Sequence, residues 1–491
     1  MQFVSLSFLI FVFGTIFVYY LIPKKIRYVW LLLASLLFYF EVSRQFLVLL
    51  IIISLITYGA GLFISGKRKD GAAASKICLI ISIVVLAGTL GFFKYTGFLL
   101  DTVDSVRVFF GREAVEKVFD IIVPVGISFY IFQAIGYIAD CYKGVITAEK
   151  NPAKVMLFIS FFPQITSGPI ERAGNMIPQY SEPKSFDYDR MRDALLLILW
   201  GYFQKIILAD RLAVIVNTIY SSYEQYPSTI LFMGTVFYTM EIYCDFAGYS
   251  NIAIGIAKVM GIDIMENFTQ PYLSCSISEF WRRWHISLSS WLRDYIYIPL
   301  GGNRKGKARK IINLLIVFAI SGLWHGAAWT FVIWGLLHGL YQVFGIILKP
   351  ARDKIKEIFK VDENSFSHKL LCIIVTFMLV NIGWVFFRAP HFEGAIYILK
   401  NMWKPSLWVL TDKSLYNLGL SEPDVRLMFA GLLLLLAVDI LNYRGIYLRE
   451  FITRQSLWLR WIIYIAAVVF VVTCGIWGPG YDASTFIYSS F

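Results

Sequence analysis

Long apolar runs separated by short polar loops dominate the 491-residue chain. The runs fall at about residues 3–22, 28–40, 46–65, 77–100, 121–140, 153–170, 194–220, 229–261, 311–347, 369–388, 427–443 and 461–478. A helix needs about 20 consecutive apolar residues to cross a bilayer, and several runs have that length. The pattern predicts an all-α polytopic membrane protein in which residues 1–491 form a single integral membrane domain.

Two of these runs have the wrong length for one regular crossing. Residues 28–40 are too few, whereas residues 311–347 are too many and contain Ser321, Gly322 and Gly326. Irregular backbone is tolerated at membrane depth only where it is buried in protein or lines a cavity. We therefore expect broken or re-entrant helices around an internal pathway.

The net charge of +12 would suggest a nucleic-acid partner in a soluble protein, but 58% of this chain is hydrophobic. Its basic residues cluster in short loops, and the positive-inside rule places such loops in the cytoplasm. The clusters lie at residues 24–27, 67–69, 304–310, 349–356 and 444–454. We therefore expect contact with a lipid bilayer, no nucleic-acid partner, and both termini and the loop 390–425 outside the cytoplasm.

The segment WRRWHISLSSWLRD, residues 281–294, concentrates charge in an apolar chain. As one helix it carries an apolar stripe with helical spacing, formed by Ile277, Trp281, Trp284, Leu288, Trp291 and Tyr295. One interpretation is an interfacial helix with its arginines toward phosphate or water. The other is a helix that borders a catalytic cavity, with His285 facing the cavity. The pattern fits both.

The basic loop that follows contains Arg304 and Lys305. A basic cluster on the cytoplasmic face most commonly binds anionic lipid headgroups, and it would also suit an anionic donor such as a nucleotide-bearing thioester. Asn313 and Ser321, farther along, are candidates for the border of the internal pathway.

His325 lies in SGLWHGAAW, with no charged residue within ten positions on either side. A titratable side chain at membrane depth is a functional candidate, and the alternative is a core histidine bonded to a backbone carbonyl. A neutral imidazole can accept a proton from an attacking hydroxyl, as a general base does. His338 lies about 220° around a regular helix from His325 and is expected to be structural. His368 and His391 lie at loop edges, and no role is expected for them.

Few acidic residues lie inside the apolar runs. Glu241 and Asp245 are one helical turn apart. They are expected to hold an arginine such as Arg282 or Arg283, to bind a hydroxyl, or to form a purely structural ion pair. The six cysteines occur singly and show no metal-ligand spacing, so we expect no metal site.

The segments WRRWHISLSSWLRDYIYIPLGGNR and SGLWHGAAW resemble the membrane-bound O-acyltransferase (MBOAT) family. The likeness is greatest to the bacterial branch typified by the membrane subunit of alginate O-acetylation. Residues 124–144, 162–172 and 244–262 also look like that branch. The resemblance implies a ring of irregular helices around a central tunnel, with His325 as the catalytic histidine and His285 as the second polar position. It also implies an acyl-thioester donor on the cytoplasmic side and an acceptor on the other.

By this resemblance, acetyl-CoA is the donor substrate, no cofactor is bound, and the chain lies in a bacterial inner or plasma membrane. Arg282, Arg283, Arg304 and Lys305 are then the candidate donor-binding residues. The branch works with an extracytoplasmic partner of the SGNH or GDSL hydrolase type, which places the acetyl group on a polysaccharide. This chain shows no GxSxG or GDS nucleophile motif of its own.

The chain ends in FIYSSF, residues 486–491, within a tail of residues 479–491. One interpretation is an end whose aromatic side chains rest at the membrane interface. The ending also resembles a C-terminal motif of this branch in which a tyrosine relays the acyl group. A tyrosyl hydroxyl needs a base to attack at neutral pH, so Tyr488 would depend on His325.

Three functions stay open at this point. The first is O-acetyl transfer from acetyl-CoA to an extracytoplasmic polysaccharide through a partner. The second is D-alanyl transfer to teichoic acid from a carrier-protein thioester. The third is a transporter or flippase for lipid-linked sugars, which broken helices and basic loops would also suit.

Overall fold

The computed structural model describes residues 3–67, 71–113 and 121–477. Every regular element among these residues is helical. Seven helical segments in this part of the chain are long and apolar enough to cross a membrane: Lys24–Lys67, Ala72–Phe109, Ser228–Val259, Gly306–His325, Trp329–Ile347, Phe366–Arg388 and Leu457–Cys474. The prediction of an all-α, multi-pass membrane protein is confirmed.

The chain forms two compact units, of which the first comprises residues 1–195 and 253–265. Its helices are α1 (Leu6–Leu21), α2 (Arg27–Ser43), α3 (Leu47–Lys67), α4 (Ala72–Phe109), α5 (Ile127–Lys143), α6 (Pro152–Ser160), α7 (Ala173–Ser181) and the first half of α8 (Tyr188–Tyr202). The short apolar run at 28–40 is part of α2, which continues through a 3-10 turn into α3. The run therefore belongs to a longer helical segment.

Backbone in the first unit becomes irregular within the run predicted at 153–170. α6 ends after nine residues, and turns occupy residues 162–167. The Ser35 hydroxyl of α2 accepts a hydrogen bond from the Phe162 amide at 3.1 Å. Gly126, with a φ of 75°, lies so close to this region that a Cβ would stand 2.1 Å from the Ile165 carbonyl oxygen. Residues 162–167 are thus buried irregular backbone, which agrees with the expectation of broken helices.

The second unit comprises residues 196–252 and 266–491. Its helices are the rest of α8, α9 (Asp210–Ser221), α10 (Ser228–Val259, up to residue 252), α11 (Ile277–Arg283), α12 (Ile286–Leu292), α13 (Gly306–His325), α14 (Trp329–Ile347), α15 (Lys349–Ile358), α16 (Phe366–Arg388), α17 (Phe392–Asn401), α18 (Glu422–Tyr443), α19 (Leu448–Thr453) and α20 (Leu457–Cys474). A π-helical segment, Phe203–Ala209, joins α8 to α9.

The π-helical segment carries Lys205, which is 2% exposed. Its ammonium group contacts Asp245 of α10 at 2.6 Å and Asp210 of α9 at 2.9 Å. Asp245 therefore pairs with Lys205 and not with Arg282 or Arg283, which was one of the expected alternatives. The alternative interpretation, a structural ion pair, describes the arrangement.

The long run at 311–347 is broken, as predicted. α13 ends at His325, residues 326–328 are extended or bent, and α14 begins at Trp329. Glycines allow the two helices to pack closely on each other. A Cβ on Gly322 would stand 2.3 Å from the Phe331 carbonyl oxygen, and one on Gly335 would stand 2.3 Å from that of Phe318. The break therefore forms a tight helical hairpin with His325 at its tip.

Candidate active site

The charged segment around His285 is two short helices instead of one. α11 ends at Arg283, α12 begins at Ile286, and a π-helical segment, Arg293–Tyr297, follows α12. The prediction that these residues form one regular helix with a continuous apolar stripe was wrong. Its tryptophans are nevertheless buried, since Trp281 is 9%, Trp284 0% and Trp291 4% exposed. The segment packs inside the protein, which favours the cavity interpretation over an interfacial helix.

His285 lies at the junction of these helices with a φ of 43°, in the left-handed region that non-glycine residues rarely adopt. The ring is fully buried. Its Nδ1 lies 3.4 Å from the Asn267 side-chain oxygen and 3.5 Å from the Ser287 hydroxyl. The edge of the ring meets Phe246 of α10 at a centroid distance of 4.7 Å. The backbone turn therefore directs the imidazole into the interior of the second unit.

His325 is the last residue of α13 and is 1% exposed. Its ring packs edge-to-face against Trp324, Trp334 and Phe387, at centroid distances of 4.9, 5.0 and 5.3 Å. The rings of His285 and His325 lie 6.3 Å apart. The two histidines, forty residues apart in sequence, thus meet in one aromatic environment.

The chemistry available to this pair follows from its surroundings. Aromatic side chains exclude water, and neutral imidazoles can accept and donate protons in such an environment. At a centroid separation of 6.3 Å, both imidazoles border the same small region of the second unit. This arrangement suits proton transfer during acyl transfer.

His338 is also buried, and the structural role expected for it stays a prediction. The Trp281 indole N–H donates a hydrogen bond to His338 Nδ1 at 3.3 Å. His325 and His338 lie on different helices, α13 and α14, so the angle of about 220° expected between them on one regular helix does not apply. Trp334 packs against both rings, at 5.0 Å from His325 and 5.2 Å from His338.

The candidate donor-binding residues lie in different environments. Arg283 contacts Glu279 at 2.9 Å, donates to the Thr269 carbonyl oxygen and packs over the Tyr443 ring. Arg282 is exposed and donates a hydrogen bond to the Ser278 hydroxyl at 3.4 Å. The pairing of either arginine with Glu241 or Asp245 is not formed.

Arg304 and Lys305 are exposed in the loop between Leu300 and α13. The loop is hydrogen-bonded to Asn313 of α13, whose side-chain amide donates to the Gly302 carbonyl oxygen at 3.1 Å. Asn313 and Ser321 are both buried in α13, and Ser321 lies one helical turn before His325. Arg304 and Lys305 are therefore, like Arg282, sterically open to an anionic ligand. Tyr488 and the tail 479–491 lie outside the described residues.

The sequence did not single out Asn267 or Lys205. Asn267 lies 18 positions before His285, and its contact with that residue depends on the turn at the junction of α11 and α12. Lys205 lies 40 positions before Asp245. A charged residue within an apolar run was a signal for Lys205, whereas Asn267 had no comparable signal.

Comparison with known proteins identifies the family of the chain. The model of the membrane-bound O-acyltransferase family matches residues 147–382, a range that includes both histidines. The chain is 37% identical over 395 residues to the probable alginate O-acetylase AlgI of Azotobacter vinelandii, covering 80% of this chain and 76% of the relative. The chain belongs to the membrane-bound O-acyltransferase family. It is accordingly a membrane O-acyltransferase.

Two further relatives differ in the function that their names state. The peptidoglycan O-acetyltransferase of Helicobacter pylori is 34% identical over 408 residues, covering 78% of this chain and 74% of the relative. The teichoic acid D-alanyltransferase of Bacillus subtilis is 30% identical over 281 residues, covering 55% of this chain and 69% of the relative. The similarity is thus more extensive to the two O-acetyl-transferring proteins.

Proposed function

We propose that this MBOAT protein transfers acetyl groups from cytoplasmic acetyl-CoA across a bacterial inner membrane, for O-acetylation of an extracytoplasmic polysaccharide. The observation that carries the proposal is the buried pair of His285 and His325, whose rings lie 6.3 Å apart. The relatives named as alginate O-acetylase and peptidoglycan O-acetyltransferase, each matched over about four fifths of the chain, support acetyl as the acyl group.

His325 acts as the general base in this proposal. An acceptor hydroxyl attacks the thioester carbonyl carbon, its proton passes to the His325 imidazole, and a new ester bond forms. The carbon–sulfur bond breaks, and the thiolate of CoA leaves with a proton returned from the imidazole. General base catalysis by a positioned side chain contributes about 10²- to 10⁴-fold to a rate. His285 orients the thioester, because it faces the same aromatic interior from the junction of α11 and α12.

The acyl group leaves the chain through its C-terminal tail and a partner. Tyr488 receives the acetyl group from the thioester and presents it outside the cytoplasm. An SGNH- or GDSL-type acetyltransferase then passes it to the polysaccharide. The proposal accordingly places both termini outside the cytoplasm, as the distribution of basic loops favours.

The proposal is tested by acetyl-CoA hydrolysis, since water can replace the acceptor in a purified acyltransferase. We expect slow hydrolysis by the wild type and a loss of about 10²-fold or more in His325→Ala. His391→Ala is the matched control, because this histidine is exposed just before α17 and lies outside the aromatic environment. Hydrolysis retained by His325→Ala would refute the catalytic role.

D-alanyl transfer to teichoic acid is the second candidate, and the relative from Bacillus subtilis is the observation that favours it. Supplying the purified protein with a D-alanyl carrier-protein thioester in place of acetyl-CoA discriminates the two. If the protein turns over the carrier thioester and not acetyl-CoA, D-alanyl transfer is the function and the acetyl proposal is refuted. The flippase alternative gains no support, because the family of the chain consists of acyltransferases.

A further inference from the structure

Asn267 makes four hydrogen-bond contacts around the αL residue His285. Its backbone carbonyl oxygen accepts from the Ile286 amide at 3.0 Å. Its side-chain oxygen accepts from the Ser287 amide at 3.3 Å and lies 3.4 Å from His285 Nδ1. Its side-chain nitrogen donates to the Ser250 hydroxyl of α10 at 3.1 Å. Asn267 is 1% exposed, so these contacts are shielded from water.

These contacts fix which way the Asn267 amide points. A backbone amide can only donate, so the atom that faces Ser287 N must be the side-chain oxygen. The other end of the amide then meets Ser250, whose hydroxyl can accept. The orientation therefore rests on the backbone of α12 and does not depend on telling oxygen from nitrogen.

The same oxygen determines the protonation of the His285 ring. A carbonyl oxygen only accepts hydrogen bonds, so an Nδ1 lone pair facing it would be repelled. An N–H at Nδ1 makes this contact favourable and leaves the lone pair of the neutral ring on Nε2. The Ser287 hydroxyl, 3.5 Å away, can accept from the same N–H.

We propose that Asn267 is a positioning residue that holds His285 in the Nδ1–H tautomer, so that Nε2 presents a hydrogen-bond-accepting lone pair to an N–H or O–H group of the bound substrates while His325 remains the general base. The proposal rests on the proposed function for its catalytic consequence and on the hydrogen bonds alone for the tautomer. Asn267 also satisfies the first two amide groups of α12, which helps the chain to keep the left-handed conformation at His285.

His338 provides an internal reference with the opposite tautomer. It accepts the Trp281 indole N–H at Nδ1, so its proton lies on Nε2. Two buried neutral histidines of one unit are thus held in opposite forms by two different neighbours. His338 is therefore an internal control in any measurement that reports the tautomers of both rings.

The test is solid-state nuclear magnetic resonance of the full chain in lipid bilayers, with isotope-labelled histidine. Carbon–nitrogen correlations tell Nδ1 from Nε2 and protonated from unprotonated nitrogens. The chain has five histidines, and the signal of His285 is the one lost in His285→Gln. We expect Nδ1–H for His285 and Nε2–H for His338 in the wild type. An Nε2–H ring at His285 would overturn the proposal without any variant.

Two substitutions of Asn267 separate positioning from folding. Asn267→Asp keeps an acceptor oxygen toward Ser287 N and His285 Nδ1, and we expect the Nδ1–H signal to persist. Asn267→Ala removes that oxygen, and we expect the His285 signal to shift toward Nε2–H while that of His338 stays. Unchanged His285 signals in Asn267→Ala would refute the assignment.

The kinetic consequence is measured on the same proteins. We expect Asn267→Ala to lower the kcat of acetyl-CoA hydrolysis by roughly tenfold to a hundredfold with little change in KM, and Asn267→Asp to restore most of it. An unchanged kcat in Asn267→Ala would refute the positioning role. Failure of the proposed function would appear instead as hydrolysis retained by His325→Ala, with the tautomer signals unaffected.

Discussion

Gly322 of α13 lies so close to Phe331 of α14 that a Cβ on the glycine would stand 2.3 Å from the Phe331 carbonyl oxygen. The contact is with backbone, which cannot rotate away as a side chain can. Gly322 is three residues before His325, at the tip of the hairpin formed by α13 and α14. Close packing of these helices therefore determines where the catalytic candidate lies.

We expect Gly322→Ala to destabilise the protein by about 1–3 kcal/mol, because overpacking a tight interface forces backbone shifts. Acetyl-CoA hydrolysis should fall as well, since the shift moves His325. Gly345→Ala is the control on α14, where a Cβ would meet nothing within 4 Å. There alanine should be neutral or slightly stabilising. Thermal unfolding in detergent measures both, and equal midpoints for the two variants would contradict the packing argument.

The presence of long membrane helices was predictable from sequence, because membrane helices must satisfy their backbone internally over an apolar length. The break in the run 311–347 was predictable too, since the run is too long for one crossing and contains Gly326, which lies at the break. The left-handed turn at His285 was not. Helical periodicity continued through it, and the hydrogen bonds that stabilise the turn come from Asn267, outside the segment.

The pairing of the two histidines came from resemblance, not from pattern. Nothing in the spacing of His285 and His325 determines that their rings lie 6.3 Å apart, because this depends on packing around Trp324 and Trp334. Lys205 as the partner of Asp245 was not predicted for the same reason. Long-range contacts between helices depend on tertiary packing that single-sequence periodicity does not contain.

We expect Lys205→Met to destabilise the second unit by about 3–5 kcal/mol, because it leaves the buried Asp210 and Asp245 without the cation that contacts both. Adding Asp245→Asn to this variant should recover part of the loss by removing one buried charge. Lys184→Met is the control, since Lys184 pairs with Asp263 where both side chains are largely solvated. That change should cost less than about 1 kcal/mol.

Unfolding in detergent, followed by the exposure of buried cysteines to a thiol reagent, measures these differences. Cys244 is a suitable reporter because it is fully buried beside Asp245 in α10. Equal stability of Lys205→Met and Lys184→Met would show that the buried cluster contributes nothing.

We expect the double substitution Arg304→Gln with Lys305→Gln to raise the KM for acetyl-CoA by roughly three- to tenfold and to leave kcat unchanged. Both side chains are exposed, so they attract the donor phosphates through solvent, and such attraction is modest and screened by salt. The KM of the wild type should rise with ionic strength, and that of the variant should rise less.

Lys349→Gln with Lys354→Gln is the matched control, because it removes the same charge from the exposed basic helix α15. If both double variants raise KM equally, the effect is general electrostatic attraction and the donor site is not at Arg304 and Lys305. A change in kcat instead of KM would also count against a binding role.

We expect Tyr488→Phe to abolish acetate on the extracytoplasmic polymer while acetyl-CoA hydrolysis by the purified protein continues. Phenylalanine keeps the aromatic ring and removes only the hydroxyl that would carry the acetyl group. Tyr481→Phe is the control within the same tail. Because water can still reach the thioester, the base His325 remains active in both variants, so the relay step is separated from donor chemistry.

Mass spectrometry of the tail after incubation with acetyl-CoA should find an acetyl ester on Tyr488 in the wild type. Undiminished acetylation of the polymer by Tyr488→Phe would refute the relay and leave direct transfer from the thioester as the route.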